Sequence, residues 1–124
     1  MNKKNHTVAV LGASTNEERY SNKAVKLLVD HDYNVIPVNS AGSEICGLKS
    51  VTSLSDIDER IDTLTMYVNP SISEKISEEI LSAEPKRVIF NPGTENERLS
   101  SLLKEQGVDV LEACTLVMLK TNQF

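Results

Sequence analysis

Apolar residues in this chain fall into short runs of about five residues, separated by longer stretches in which they recur at helical spacing. The runs are 8–11 (VAVL), 34–38 (NVIPV), 64–68 (LTMYV), 87–90 (RVIF) and 108–111 (VDVL). Such runs, with little polar alternation, are the pattern of strands covered on both faces of a parallel sheet. Between them lie three amphipathic patterns: Ala24, Val25, Leu27 and Leu28 within 21–32; Ile72, Ile76, Ile80 and Leu81 within 72–83; and Leu99, Leu102 and Leu103 before Gly107. Each predicts a helix with one face toward the sheet. Residues 48–51 predict a short edge strand and 53–57 a single helical turn. Residues 113–124 (ACTLVMLKTNQF) are apolar in the middle, and either pack back onto the domain or against a partner chain.

Strands alternating with helices through short connections predict an α/β fold. The expected form is a single domain over 1–124, a Rossmann-like three-layer sandwich with a mostly parallel sheet of five or six strands. Its first strand is expected at the centre, with the order reversing between it and 64–68. Ligands of such sheets bind beyond the carboxyl ends of the strands at that reversal. Four strand ends converge there: Gly12-Ala13-Ser14, Val38-Asn39, Asn69-Pro70 and Asn91-Pro92-Gly93.

Three helices start at this edge, and a helix start offers unpaired N–H groups and a positive dipole end to an anion. Ser71 with Glu74, and Thr94 with Glu97, both spell a capping box, which places a carboxylate at the positive end. The turn after Ser21 reads Asn22, Lys23, Ala24, Val25 and carries no acid, while Arg19 and Lys23 flank it. It is therefore the best-placed anion site, reached by a polar loop over 13–20 that ends in Arg19 and Tyr20. Ser14 with Glu17 spells a further box. A helix starting there would bring Glu17 and Glu18 into its first turn and close the site to phosphate.

Composition narrows the partners. The 124 residues carry a net charge of −5, with 25% charged and 40% hydrophobic residues, so a basic nucleic-acid surface is not expected. No apolar run reaches the ~18 residues of a membrane span. Cys46 and Cys114 lie far apart without CxxC spacing, the usage of a reducing, cytoplasmic compartment. Cys46 is expected to be exposed; Cys114, beyond the last strand, could approach a bound ligand but reads first as an inert half-core thiol. His6 and His31 fall at the edge opposite the ligand, so no base, metal cluster or nucleophilic pair is expected at the site. The dinucleotide fingerprint G-x-G-x-x-G has Ser14 and Glu17 at its third and sixth positions, and the second strand ends in Asn39 rather than an acid. Both features disfavour NAD.

The segments VAVLGAS, RYSNKAV, VIPVN, YVNPS and NPGTENE, in this order, resemble small stand-alone CoA-binding proteins of Rossmann-like fold, similar to the nucleotide-binding part of the succinyl-CoA synthetase alpha subunit. The resemblance runs from about residue 6 to 120. It implies coenzyme A as the cofactor, with Gly12, Ala13, Ser14, Arg19, Tyr20, Ser21 and Asn22 along the nucleotide and Val38 and Asn39 near the adenosine. Asn69, Pro70, Asn91, Pro92 and Gly93 would line the pantetheine path. The synthetase's phosphohistidine segment has no counterpart here. The expectation is therefore a non-catalytic binder of CoA or acyl-CoA. The alternatives are a subunit of an acyl-CoA or nucleotide-dependent ligase, and an interaction protein with a vestigial site and a homodimer formed through its C-terminal tail.

Overall fold

The computed structural model describes residues 3–124. Five strands form one all-parallel sheet: β1 (Thr7–Leu11), β2 (Asn34–Val38), β3 (Thr63–Met66), β4 (Arg87–Phe90) and β5 (Asp109–Glu112). Their order is β2-β1-β3-β4-β5, so the chain reverses direction across the sheet between β1 and β3. The central strands β1 and β3 are buried at every position. In β1 this leaves the continuous apolar run 8–11, whereas β3 buries two threonines, Thr65 bonded to Thr115 and Asn91.

Helices cover both faces: α1 (Tyr20–Asp30), α2 (Pro70–Lys75), α3 (Ser77–Ser82), α4 (Glu97–Glu105) and α5 (Thr115–Lys120). Val8 and Val10 pack with Val25, Leu28 and Leu119 on one face. Ala9, Leu11, Leu64 and Phe90 pack with Ile80, Leu99 and Leu103 on the other. The period-two alternation of β1 thus feeds two separate cores.

Four expectations need correction. The predicted edge strand at 48–51 is a loop that touches β2 through one bridge, Val38 to Val51. A tight turn at Cys46-Gly47 closes a second bridge, Ile45 to Leu48, and both central residues have positive φ, the requirement of the mirror-image hairpin turns. The single helix predicted over 72–83 is two helices bent at Ile76 (φ −107°, ψ 20°), although bonds from Ile76 to Ile72 and from Ile80 to Ile76 carry the ladder across the bend. Neither capping box forms. Pro70 takes the first helical position of α2, which moves the cap back to Asn69. Asn69 Oδ1 accepts from the Ile72 N–H at 3.0 Å, and Asn96 Oδ1 accepts from Leu99 at 3.0 Å to cap α4. Glu74 instead pairs with Arg98.

The tail packs back onto its own domain. Leu119 is 2% exposed and α5 lies against α1, leaving Val117 outward. No helix among the described residues is long and apolar enough to cross a membrane.

Candidate functional site

At the carboxyl ends of β1 and β3 the backbone is crowded. Gly12 has φ +89°, and a Cβ there would stand 2.7 Å from the Tyr67 carbonyl oxygen and 2.9 Å from Val68 Cγ1. The glycine lets the loop leaving β1 lie directly on the end of β3. On either side of this contact is a hollow. One, of about 450 Å³, is lined by Gly12, Ser14, Arg19, Tyr20, Ser21, Asn69, Pro92 and Gly93, together with Tyr67, Val68 and Thr94. The other, of about 410 Å³, is lined by Gly12, Ala13, Val38 and Asn39, with Ser40, Thr52, Ser53 and Ile72 among its other walls. Gly12 and Val68 line both, so the two hollows are neighbours across a shared wall at the reversal point.

Helix α1 opens into the first hollow. Its N-cap is Arg19, not Ser21, and Arg19 makes no side-chain cap bond; its first turn holds no acid. Among the described residues no hydrogen bond is made to the N–H groups of Tyr20, Ser21 or Asn22; the ladder begins with Lys23 N–H to the Arg19 carbonyl. Glu17 does not plug this end: its carboxylate lies 3.4 Å from Lys26 Nζ. Ser14 Oγ accepts from Asn16 N–H, and Asn16 Oδ1 from Glu18 N–H, so the would-be helix start at Ser14 is a pair of side-chain-bridged turns. The starts of α2 and α4 differ, because Asn69 and Asn96 fill them and Glu97 sits in the first turn of α4. That of α5 has no cap or acid, but Asn91 Oδ1 accepts its Thr115 N–H and it lines neither hollow. The predicted asymmetry between α1 and the starts of α2 and α4 is present, created chiefly by asparagine caps, with Glu97 adding a carboxylate at α4.

The remaining predicted residues work as struts. Asn22 is 3% exposed and its Nδ2 donates to the Ser14 carbonyl at 2.8 Å. Asn39 Nδ2 donates to the Ala13 carbonyl at 2.9 Å, while its Oδ1 accepts from Ala41 N–H. These two amides hold the β1–α1 loop from opposite sides. Asn91, 2% exposed, donates to Thr65 Oγ1 and the Met66 carbonyl and accepts from Thr115 N–H at 2.8 Å, tying β3, β4 and α5 together beneath the rim. Asn22, Pro70 and Asn91 line neither hollow.

Sequence reasoning missed Tyr67, Val68 and Thr94 as walls; their adjacency to the strand-end Asn-Pro pairs was the available signal. The Tyr67 hydroxyl is buried without a hydrogen bond of ordinary geometry, since Thr65 and Thr115 bond to each other at 2.8 Å. Burial pushes its pKa up to about 12, a rise that those neighbouring hydroxyls only soften.

Cys114 is the N-cap of α5 and lines neither hollow. Cys46 is half-buried, not exposed, with its sulfur 3.6 Å from Asn22 Oδ1, and burial raises its thiol pKa. His6 and His31 lie at the opposite edge of the sheet. Among the described residues no group of three or more His, Cys, Asp or Glu could hold a metal ion. A larger hollow, about 800 Å³, lies beside α3 and contains none of the predicted residues. Asp58, Glu59, Glu79 and Glu84 face a single Arg60 there, a balance that repels anions.

A family described as a CoA binding domain matches residues 6–120. An uncharacterized protein of Bacillus subtilis, YneT, is 33% identical over 104 residues, covering 84% of this chain and 77% of its own. A protein from Thermus thermophilus superposes with a TM-score of 0.87 at 31% identity, covering 96% of this chain and 90% of that one. An ADP-forming acetate–CoA ligase of Methanocaldococcus jannaschii is 32% identical over 73 residues, which are 59% of this chain and 10% of the ligase.

Proposed function

The chain belongs to the CoA binding domain family, and on that premise we propose that it holds coenzyme A or an acyl-CoA across its two neighbouring hollows without itself catalysing a reaction. The observation that carries the reading is the α1 terminus. Among the described helix starts beside these hollows, it alone has neither side-chain cap nor acid, and it opens into a cavity beside Arg19. The start of α5 is equally bare, but Asn91 Oδ1 takes its Thr115 N–H and it lines neither hollow. Three free N–H groups, the dipole and a guanidinium supply locally the positive potential that the chain's net charge of −5 does not. The diphosphate would sit there. The adenosine would lie in the hollow floored by Val38 and Asn39, and the pantetheine arm would run past Asn69, Pro92 and Gly93. An elongated ligand suits two hollows that share a wall at Gly12 better than a compact one does. Two unpaired cysteines are consistent with the cytoplasm as its compartment.

Thermal denaturation with CoA, dephospho-CoA, acetyl-CoA, NAD and ATP tests this. CoA at 100 times its dissociation constant stabilises the fold by ~2.7 kcal/mol, a rise of about 10 °C for a chain of this size. A larger shift with NAD, or none with any ligand, would overturn the reading. The partial match to an acetate–CoA ligase favours one second reading, delivery of CoA to a ligase partner. Turnover on adding that partner, and none without it, would distinguish this from simple binding.

A further inference from the structure

At the edge of the sheet away from the coenzyme site, the end of the described chain is gripped by an aromatic and cationic slot. The Phe124 ring lies 5.1 Å from Tyr33 and 6.0 Å from His6, with the Arg87 guanidinium 4.5 Å above it. His6 also meets Tyr33 edge-on at 5.2 Å. One hydroxyl joins the two sides of the slot. Thr63 Oγ1 accepts from Arg87 Nε at 3.1 Å and lies 2.9 Å from His6 Nε2.

That shared hydroxyl makes the slot sensitive to one proton. In the neutral tautomer whose Nε2 carries no proton, the Thr63 O–H donates to Nε2 while its oxygen accepts from Arg87 Nε, so one hydroxyl serves both neighbours. In an imidazolium both ring nitrogens are donors, so Nε2–H and Arg87 Nε–H would converge on the same oxygen as two like charges. Arg87 has no slack to absorb this, because its second terminal nitrogen is already buried without a hydrogen-bond partner.

We propose that the 121–124 segment is an acid-released latch, seated while His6 is neutral and freed when His6 takes up a proton. The charged groups around His6 are Asp62, Lys86 and Arg87, with Lys3 over the far ring of the slot, Tyr33, and Glu59 bonded to the adjoining Thr7. Asp62 favours the imidazolium, but it is already engaged by Thr7 N–H at 2.8 Å and by Lys86 at 3.4 Å. Burial, Arg87 and Lys86 outweigh it, and the His6 pKa is held below its ordinary value. The sign follows: the unfolded or unlatched chain binds the proton more readily, so the latch is lost as pH falls below the ordinary histidine value.

The test is hydrogen exchange of the intact protein, read on Asn122 and Gln123, whose N–H groups bond back to Leu119 and Met118. Corrected for intrinsic rates, protection at these amides should fall between pH 7.5 and pH 5. His6→Gln, which keeps a donor toward Thr63 but cannot titrate, should show the same protection at both pH values. If that variant is poorly folded, His6→Asn, equally unable to titrate, takes its place. Protection that is unchanged or increased at pH 5 in the unaltered protein, or a drop that survives in a folded variant, would overturn the latch.

Discussion

The crowding at Gly12 can be isolated by a paired substitution. Gly12→Ala and Gly93→Ala both force a side chain onto a backbone at φ +89°, yet the added Cβ meets the Tyr67 carbonyl at 2.7 Å in the first and nothing within 4 Å in the second. The conformational cost is common to both, about 1–2 kcal/mol. Gly12→Ala adds a clash with backbone that cannot rotate away, about 1–3 kcal/mol on the scale of overpacked interiors. The pair should therefore differ by about 2 kcal/mol, within a total stability of roughly 5–15 kcal/mol. Urea denaturation with a common m-value, checked by thermal melts, measures both. Melting temperatures separated by about 5–10 °C are expected. Equal destabilisation would show that the β1–α1 loop does not rest on β3, and the wall shared by the two hollows would lose its basis.

Two further outcomes follow from buried polar groups. Asn91→Ala strands the Thr115 N–H and the Met66 carbonyl beneath the rim, and should cost about 3 kcal/mol in urea denaturation, whereas the exposed Ser71→Ala should cost under ~0.5 kcal/mol. Tyr67 is pushed up to about 12 by burial, so its neutral form stabilises the fold below the ordinary tyrosine value near pH 10, and that contribution is lost as pH rises toward 12. Alkaline titration of the melting temperature should lose about 2 kcal/mol of stability over this window, a loss that Tyr67→Phe removes.

The sheet was legible in the sequence because burial on both faces leaves its mark in each strand: VAVL, LTMYV and RVIF are mostly apolar at successive positions. The reversal between β1 and β3 was expected from the Rossmann-like pattern, and the long segment 39–62 that joins β2 to β3 makes it. Helix starts were less legible, since Ser71–Glu74 and Thr94–Glu97 satisfy the capping-box spacing while Asn69 and Asn96, two residues away in each case, are the actual caps and accept from Ile72 and Leu99. The Asn-Pro pair at 69–70 held the answer, proline belonging at the first helical position with its cap before it. The strand-end asparagines were harder still. An amide at a ligand edge can face the ligand or brace the loop, and the partner that decides is 24 residues away in sequence for Asn91 and Thr115. Tyr67 and Thr94 escaped notice because a wall residue is defined by the neighbours it faces, which local spacing does not encode.

The central claim is that a guest's phosphate groups settle on the uncapped start of α1. Amide nitrogen and proton shifts followed during titration with CoA read this directly, residue by residue. The account predicts that the largest changes fall on Gly12–Ser14 and on Tyr20, Ser21 and Asn22, with little change at the Asn96-capped start of α4. Changes centred on Leu99, or beside α3 around Asp58 and Glu84, with the α1 amides unmoved, would contradict it.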